Sequence, residues 1–513
     1  MNKALGHAIL LAFIGAGVVF RIIGLDWGIP RAMPPDATTY RNSYHLDEDN
    51  YLWGLTWMNP RELNFDVQDL HWGTLQFYLI AGALEAGRSF GYLARPWRES
   101  FLDWDPAEFT KIYVCGRAVS ASAGIVSLVL IFFVGRKLGG AEAGLGAAAL
   151  LAVSPLHVVN SHFLTSDVSM VLLLTAAFGL FLWSLERPAM GPYLAGGFLL
   201  GLAVAAKYNA AFMVFLWVGR DLVSRGVPCR LKVLGYATMV AGFAAGEPYA
   251  FVRPGELLAT VYQAQFATTD AARFFLPHWP RLLLEQAKNL AIYGLEWPVA
   301  VAAVLGLFLC VARPSRRRTA LAAAVFLMLA SLVVARWPMV RYTLPLVPLA
   351  ILAAALFVME LPVRAEWRPW MFVLLGSYAL LFSWSQVRVL NCEHPANAAW
   401  DWIQTHVPPG SRVGQIRPEL PPIDSHLYDL RTLRGVFPGD QAEPKDLDRE
   451  YLVLDNLSTY PFTRSFSGRL EQEYVMASEF RCEPGIGAWA MGERGAPHDW
   501  KYTHPVLRIY RRR

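Results

Sequence analysis

Long apolar runs separated by short polar connections dominate the chain as far as about residue 390. A helix needs about 20 residues to cross the hydrocarbon core of a bilayer, with about 17 as a lower bound. Most of the runs reach this length, and the two on either side of Lys207 are short. The runs lie near 4–24, 112–135, 141–158, 168–185, 192–206, 208–222, 233–251, 289–312, 319–335, 341–359 and 370–388. The pattern predicts an α-helical polytopic membrane protein with about eleven transmembrane helices.

The basic residues predict how these helices are oriented. Short loops rich in lysine and arginine face the cytoplasm, whereas long loops cross the membrane regardless of their charge. If the N-terminus is cytoplasmic, an eleven-helix count leaves the long loop 25–111 and the C-terminal region outside. The basic loops that the same count places inside are Arg136–Lys137, Glu186–Arg187, Arg220–Lys232, Arg313–Arg318 and Arg364–Arg368.

The segment His71–Tyr92 competes with this count, because it is apolar enough to be read as one more span. Counting it would turn the loops at 220–232 and 313–318 outward, against the rule for basic residues. Its Gln76, Glu85 and Arg88 leave a polar face. We therefore predict interfacial helices, lying in the membrane plane, in this first external loop.

The composition changes after residue 390. Paired prolines, a helix-like stretch at 396–405 and β-rich runs at 451–454 and 506–510 predict a small α/β extracytoplasmic domain. The predicted domains are thus 1–390, transmembrane, and 391–513, soluble. Cys392 and Cys482 lie in the second, and two alternatives stay open for them, a disulfide or two free thiols.

The overall composition agrees with a membrane protein. The chain of 513 residues is 55% hydrophobic and 17% charged, whereas soluble domains carry about 25% charged residues. Its net charge of +5 is modest. The arginine clusters fall between apolar runs, so membrane topology explains them and no nucleic-acid partner is expected.

Acidic residues at the predicted outer face are the first candidates for chemistry. Asp47, Glu48 and Asp49 follow one another in the first external loop, and Asp167 lies at the outer end of the hairpin between the third and fourth spans. A solvated loop or a helix N-terminus would also explain the triplet. A helix N-cap formed by Ser166 or Asp167 would also explain the fourth acid.

Cations at the same face are the second group of candidates. An ionisable residue at membrane depth, such as Lys207, is costly and marks a functional site by default, although a lysine reaching to the interface is an alternative. Arg336 and Arg341, with Trp337 and Tyr342, lie on a short outer loop. Arginines there oppose the usual charge bias, so we expect them to have an anionic partner.

External acids beside external cations predict one composite site. A base removes the proton of an attacking hydroxyl group, and cations stabilise a departing phosphate. Nucleotide sugars are cytoplasmic, so an outward-facing transferase would need a sugar donor carried on a polyprenyl phosphate. A transporter or flippase is the main alternative, and a hydrolase of lipid-linked sugars or a scaffold also remains open.

Several short motifs carry a resemblance to a known family. They are Asp47-Glu48 with Tyr51, the segment 71–78, Ser154-Pro155 to Asp167, Gly201-Leu202-Ala203 to Lys207-Tyr208, and Arg341-Tyr342-Thr343-Leu344-Pro345 with Pro348. In this order the chain resembles the GT-C glycosyltransferases over most of residues 8–390. The family-39-like branch, with protein O-mannosyltransferases and aminoarabinose transferases, is the most similar. The segment 71–78 lacks the two prolines of that branch.

The resemblance implies inverting transfer from a polyprenyl-phosphate sugar to an acceptor hydroxyl or amine of a glycan, lipid or protein. It implies that Asp47 is the base, that Glu48 orients the acceptor, and that Asp167 supports donor or acceptor. Lys207 and Arg341 would hold the lipid phosphate.

Tyr342, Tyr51 and His71 are further substrate-binding candidates. No metal ligand is assigned, but a divalent metal held by Glu48 with His45 and His71 stays open. The expected location is a bacterial inner membrane with the site on the periplasmic side.

Overall fold

The computed structural model describes residues 2–31, 42–103, 105–186, 190–223, 228–266, 279–333, 338–433, 448–457, 462–486, 489–490 and 496–513. Most of these residues are helical, as the apolar pattern predicts. The chain divides into two compact units. Unit 1 comprises 1–23, 51–86 and 115–384, and unit 2 comprises 24–50, 87–114 and 385–513. The predicted division at residue 390 stays a prediction.

The helices of the N-terminal half are α1 Lys3–Phe20, α2 Glu48–Thr56, α3 Leu75–Ser89, α4 Trp97–Asp103, α5 Pro106–Gly139, α6 Ala141–Ala152, α7 Pro155–Asn160, α8 Asp167–Ser184, α9 Met190–Ala206, α10 Val214–Val223, α11 Cys229–Gly246, α12 Tyr249–Val252 and α13 Pro254–Phe266. They continue with α14 Trp279–Asn289, α15 Trp297–Ala312, α16 Arg316–Val333, α17 Leu346–Glu360, α18 Arg368–Leu390, α19 Pro395–His406 and α20 Arg464–Glu473. Short 3₁₀ turns at Tyr208–Met213 and Val340–Thr343 precede α10 and α17.

Several predicted spans are interrupted, so the count of eleven is not confirmed. The run 141–158 is split into α6 and α7 before Pro155, and the run 233–251 ends at Gly246 before Pro248. Proline lacks the backbone N–H and disfavours helical geometry in the residue before it. The run 208–222 begins as a 3₁₀ turn and becomes α-helical only at Val214.

Four helical stretches among the described residues are long and apolar enough to cross a membrane: Lys3–Phe20, Pro106–Gly139, Asp167–Ser184 and Ala365–His406. Four shorter apolar helices accompany them: α6, α9, α15 and α17. Phe133, Phe308 and Phe326 lie on helices of unit 1 and are largely exposed. Large apolar side chains on a helix surface indicate contact with lipid or with a partner. Together with the apolar helices above, they support the conclusion that the protein is an integral membrane protein.

Unit 1 is held together by close helix packing. Helix α9 packs against both α8 and α11, and α15 packs against α17. A Cβ at Gly201 of α9 would overlap the carbonyl oxygen of Met239 in α11. Small residues allow helix backbones to approach in this way where lipid supplies no hydrophobic driving force. The packing fixes the ends of α8 and α9, where two of the candidate residues lie.

The C-terminal part of unit 2 contains the predicted sheet. Its five strands are β1 Arg412–Gln415, β2 Asp429–Thr432, β3 Tyr451–Asp455, β4 Tyr474–Phe480 and β7 Leu507–Arg512, and a separate two-stranded sheet pairs β5 Gly485–Ile486 with β6 Trp489–Ala490. The order is β2-β1-β3-β7-β4. Strand β1 pairs in parallel with β2 and β3, and β7 pairs antiparallel with β3 and β4. The predicted small α/β domain is confirmed.

A disulfide joins Cys392 and Cys482 within unit 2. Of the two alternatives that the sequence left open, the structure therefore has the disulfide and not two free thiols. Cys115, Cys229 and Cys310 are not disulfide-bonded to any described residue, and of the three only Cys229 is exposed.

Candidate functional site

An ion pair between Asp167 and Lys207 lies at the centre of the candidate site in unit 1. Lys207 Nζ donates to Asp167 Oδ1 at 2.6 Å. The Lys207 side chain is 16% exposed and the Asp167 side chain is 4% exposed. Asp167 is the first residue of α8, and Lys207 follows the last residue of α9. A carboxylate at a helix N-terminus and a cation at a helix C-terminus are each stabilised by the helix dipole.

The alternative that Ser166 caps α8 is not supported. Ser166 occupies the N-cap position, but its side chain makes no capping hydrogen bond. Tyr51 Oη donates to Ser166 Oγ at 3.3 Å, and the Ser166 backbone N–H donates to Tyr51 Oη at 3.2 Å. Tyr51, a predicted substrate-binding residue, therefore fixes the start of α8 beside Asp167.

Two cations lie against the ring of Tyr342. Lys207 Nζ is 5.3 Å from the ring centroid, and the Arg341 guanidinium carbon is 5.9 Å from it. Arg341 is buried. The electron-rich face of an aromatic ring attracts cations within about 6 Å. Tyr342 thus holds Lys207 and Arg341 in one neighbourhood, which suits an anionic group such as a phosphate.

His71 reaches this group of residues through aromatic contacts. Its ring is 5.3 Å from that of Trp72, and the Trp72 ring is 6.3 Å from that of Tyr51. The loop can lie here because residue 73 is glycine. A Cβ at Gly73 would overlap the carbonyl oxygen of Ala205, two residues before Lys207.

A buried glutamate in unit 1 escaped the sequence interpretation. Glu247 is fully buried, and the Thr74 backbone N–H donates to its Oε2 at 2.6 Å. Thr74 Oγ1 also donates to the Gly246 carbonyl oxygen at 2.7 Å. Glu247 lies at the end of the apolar run 233–251, where an ionisable residue would have been a signal. These bonds fix the loop at 71–74 onto the end of α11.

The acidic triplet lies in unit 2, at the start of α2. Ser43 Oγ donates to Glu48 Oε2 at 2.5 Å, and Glu48 is fully buried. Burial, together with the neighbouring charges of Asp47 and Glu419, raises the pKa of Asp49 to about 6. A buried carboxylate loses hydration, which favours its protonated form. The triplet is therefore not a fully solvated loop.

Asp47 is half-buried in the turn before α2. Its backbone N–H donates to His45 Nδ1 at 3.3 Å. The His45 ring packs edge-on against Tyr502 at 5.3 Å. Within the described residues, no three His, Cys, Asp or Glu side chains are grouped to hold a metal ion. The metal suggested for Glu48, His45 and His71 stays a prediction.

The structure brings together Asp167, Lys207, Tyr342, Arg341, Tyr51 and His71 in unit 1, through the contacts above. Asp47 and Glu48 belong to unit 2. Arg336 and Trp337 lie outside the described residues. Ser166 was considered only as a helix cap, Trp72 and Thr74 only as part of the motif 71–78, and Glu247 was not predicted. They act through contacts between segments distant in sequence, which no local motif reveals.

Comparison with known families matches residues 109–248 to the model for dolichyl-phosphate-mannose-protein mannosyltransferases. This stretch includes Asp167, Lys207 and Glu247. The predicted resemblance to the GT-C glycosyltransferases is confirmed over this part of the chain. No curated protein matches the chain by sequence.

Comparison with solved structures also gave matches. The apo oligosaccharyltransferase of Archaeoglobus fulgidus is 12% identical with a TM-score of 0.48, covering 78% of this chain and 58% of that chain. The chain thus spans less than two thirds of that protein. ArnT from Cupriavidus metallidurans in the apo state is 12% identical with a TM-score of 0.49, covering 98% of both chains. The same protein bound to undecaprenyl phosphate is 10% identical with a TM-score of 0.48, again covering 98% of both chains.

Proposed function

We propose that the protein is a glycosyltransferase of the membrane that moves a sugar from a polyprenyl-phosphate donor to an acceptor hydroxyl or amine by inversion. The observation that carries the proposal is the Asp167–Lys207 ion pair with Arg341 and Tyr342. Lys207, at the end of α9, and Arg341, in the turn before α17, supply positive charge that would stabilise a phosphate as it gains negative charge on departure. The family match over residues 109–248 supports the same reaction class.

The proposed reaction is a single displacement. The Asp47 carboxylate takes the proton of the acceptor as its oxygen or nitrogen attacks the anomeric carbon. The bond from that carbon to the phosphate oxygen breaks, and polyprenyl phosphate leaves as an anion. One bond forms and one breaks on opposite faces of the carbon, so the configuration inverts.

Each remaining residue has a proposed role in this step. Lys207 and Arg341 bind the lipid phosphate, and Tyr342 holds the two cations in place. Asp167 positions Lys207 through their hydrogen bond. Tyr51 and His71 contact the substrate, and Glu48 orients the acceptor. The proposed location is the periplasmic side of a bacterial inner membrane, which the charge of the loops supports.

A transfer assay tests the proposal. The purified full-length protein in nanodiscs would be incubated with radiolabelled polyprenyl-phosphate sugars and a membrane extract as acceptor pool. Asp47→Asn is compared with Asp26→Asn, a matched change at an exposed aspartate of the same external loop.

We expect labelled product from the wild type and Asp26→Asn but a loss of at least about a hundredfold in Asp47→Asn, the usual contribution of a general base. The anomeric configuration of the product, read by NMR, should be opposite to that of the donor. Equal product from both variants would overturn the assignment of the base. Free sugar without labelled acceptor would indicate a hydrolase, and donor movement across the bilayer without product would indicate a flippase.

A further inference from the structure

A cavity of about 970 Å³ lies in unit 1, away from the residues assigned above. Its lining includes Ser184 and Glu186, at and beyond the end of α8, and Arg220 of α10. Helix α8 begins at Asp167 and has 18 residues, so it is about 27 Å long at 1.5 Å per residue. The cavity therefore lies at the opposite end of α8 from the Asp167–Lys207 pair. Its volume is typical of sites for small ligands.

Much of the lining of this cavity is apolar. Phe181, Phe215, Phe326 and Leu327 are among the residues that line it. Phe215 and Phe326 are 61% and 70% exposed, so the cavity reaches the outer surface of the helices. The two rings lie in the apolar runs 208–222 and 319–335, which the sequence predicts to be membrane spans, so such an opening would face lipid tails. An acyl chain could enter between these two rings without crossing water.

The polar part of the cavity is cationic. Arg316, Arg317 and Arg318 form the first turn of α16, where the helix dipole disfavours positive charge. Arg317 forms an ion pair with Glu186, and Arg318 forms one with Glu360. Arg316 lines the cavity, is exposed, and makes no ion pair within the described part of the chain.

The other lining cation has a different environment. Arg220 lies 3.3 Å from Asp221 Oδ1, donates to the Ser184 carbonyl oxygen at 3.1 Å, and stacks on Tyr193. Arg220 is thus held in place as part of the wall. Arg316 is therefore the lining cation that is available to a ligand. It lies beside the backbone N–H groups at the start of α16, and each of these two features favours binding of a phosphate.

We propose that this cavity binds an anionic glycerophospholipid from the leaflet opposite the Asp167–Lys207 pair. Its phosphate lies against Arg316 and the start of α16, and one acyl chain lies between Phe215 and Phe326. The lipid also supplies a negative charge for Arg316, since Arg317 and Arg318 already pair with Glu186 and Glu360. This site is independent of the proposed transfer reaction, because it lies at the other end of α8.

Native mass spectrometry of the full-length protein tests this proposal. The protein is exchanged into mixed micelles with phosphatidylglycerol, which is anionic, or phosphatidylcholine, which is not. Arg316→Gln is compared with Arg313→Gln, which removes a charge from the same loop but is absent from the cavity lining and pairs with Glu360. A basic residue near a membrane surface contributes about 1 kcal/mol to binding anionic lipid, so we expect roughly fivefold weaker retention of phosphatidylglycerol in Arg316→Gln alone. Equal losses in both variants would show general surface attraction and overturn the proposal.

A second variant tests the apolar part. Ala323 lines the cavity, and Ala323→Phe should exclude the acyl chain, lowering retention while the thermal unfolding midpoint is kept. Unchanged retention in a folded Ala323→Phe variant would show that the lipid binds elsewhere. Undecaprenyl phosphate is added as a competitor. If undecaprenyl phosphate displaces phosphatidylglycerol when present at a lower concentration than phosphatidylglycerol, the cavity binds undecaprenyl phosphate and the proposed occupant is wrong.

Discussion

Lys207 Nζ lies 2.6 Å from Asp167 Oδ1, although forty residues of sequence separate the two side chains. The contact joins the start of α8 to the end of α9, and both groups are largely withdrawn from water. A buried ion pair contributes little to stability by itself, yet loss of one partner leaves a buried charge without compensation. The contribution of this ion pair to stability can therefore be measured separately from its contribution to catalysis.

Removal of one partner should cost more stability than removal of both charges. We expect Lys207→Met to lower the free energy of unfolding by about 3–5 kcal/mol, because Asp167 then stays buried as an unpaired carboxylate. The double variant Asp167→Asn with Lys207→Met should recover most of this loss. Unfolding of the four proteins in detergent, analysed as a double-mutant cycle, measures the coupling. Additive effects of the two changes would contradict a direct pair. All three variants should lose sugar transfer.

The aromatic ring of residue 342 should matter more than its hydroxyl group. Tyr342→Phe keeps a ring beside Lys207 and Arg341, so we expect its KM for the lipid-linked donor to stay within about twofold of the wild type. Tyr342→Leu removes a cation–π contact that contributes about 0.5–2 kcal/mol, and its KM should rise. Steady-state kinetics with varied donor concentration makes the comparison. A larger effect in Tyr342→Phe than in Tyr342→Leu would point instead to a role for the hydroxyl group.

Asp49 should make the protein less stable as the pH rises from about 4 to about 6. Its ordinary pKa is 3.8, and burial raises the pKa to about 6 in the folded protein. The folded state therefore binds the proton more tightly, so the stabilisation is complete below pH 4 and is lost as the pH rises through 6.

The measurement is the apparent thermal midpoint between pH 4 and pH 8 for the wild type and Asp49→Asn. The difference between the two proteins should change within that window and level off above it. Asp26→Asn, at an exposed position, serves as the control and should follow the wild type. A pH-independent difference between wild type and Asp49→Asn would show that Asp49 has no raised pKa.

The disulfide Cys392–Cys482 should stabilise unit 2. It closes a loop of 90 residues, and removing a native disulfide costs about 2–5 kcal/mol. We expect Cys392→Ser with Cys482→Ser to lower the unfolding midpoint. Cys229→Ser, a change at an exposed free thiol, should leave it unchanged. Mass shifts after alkylation with and without reductant report the pairing itself, and alkylation of both thiols without reductant would contradict it.

The sequence by itself determined the helical membrane character and the small α/β region, and it predicted several residues that the structure places together. Apolar runs predict helices because the spacing and length of hydrophobic side chains are local properties, and charge at membrane depth marks Lys207 before any fold is known. The strands at 451–455 and 507–512 were predictable for the same reason, since their apolar residues form short β-rich runs.

The tertiary structure alone decided which of these residues meet. Nothing in the local pattern places Tyr51 on Ser166, or two cations on Tyr342, because these contacts arise from packing between distant helices. The helix breaks at Pro155 and Pro248 lie inside apolar runs that hydropathy reads as continuous, so the sequence could not show them and the count of eleven spans is not confirmed. Glu247 escaped notice because its role depends on Thr74, a residue 173 positions away. Burial, which sets the protonation of Asp49, is likewise a property of the whole fold.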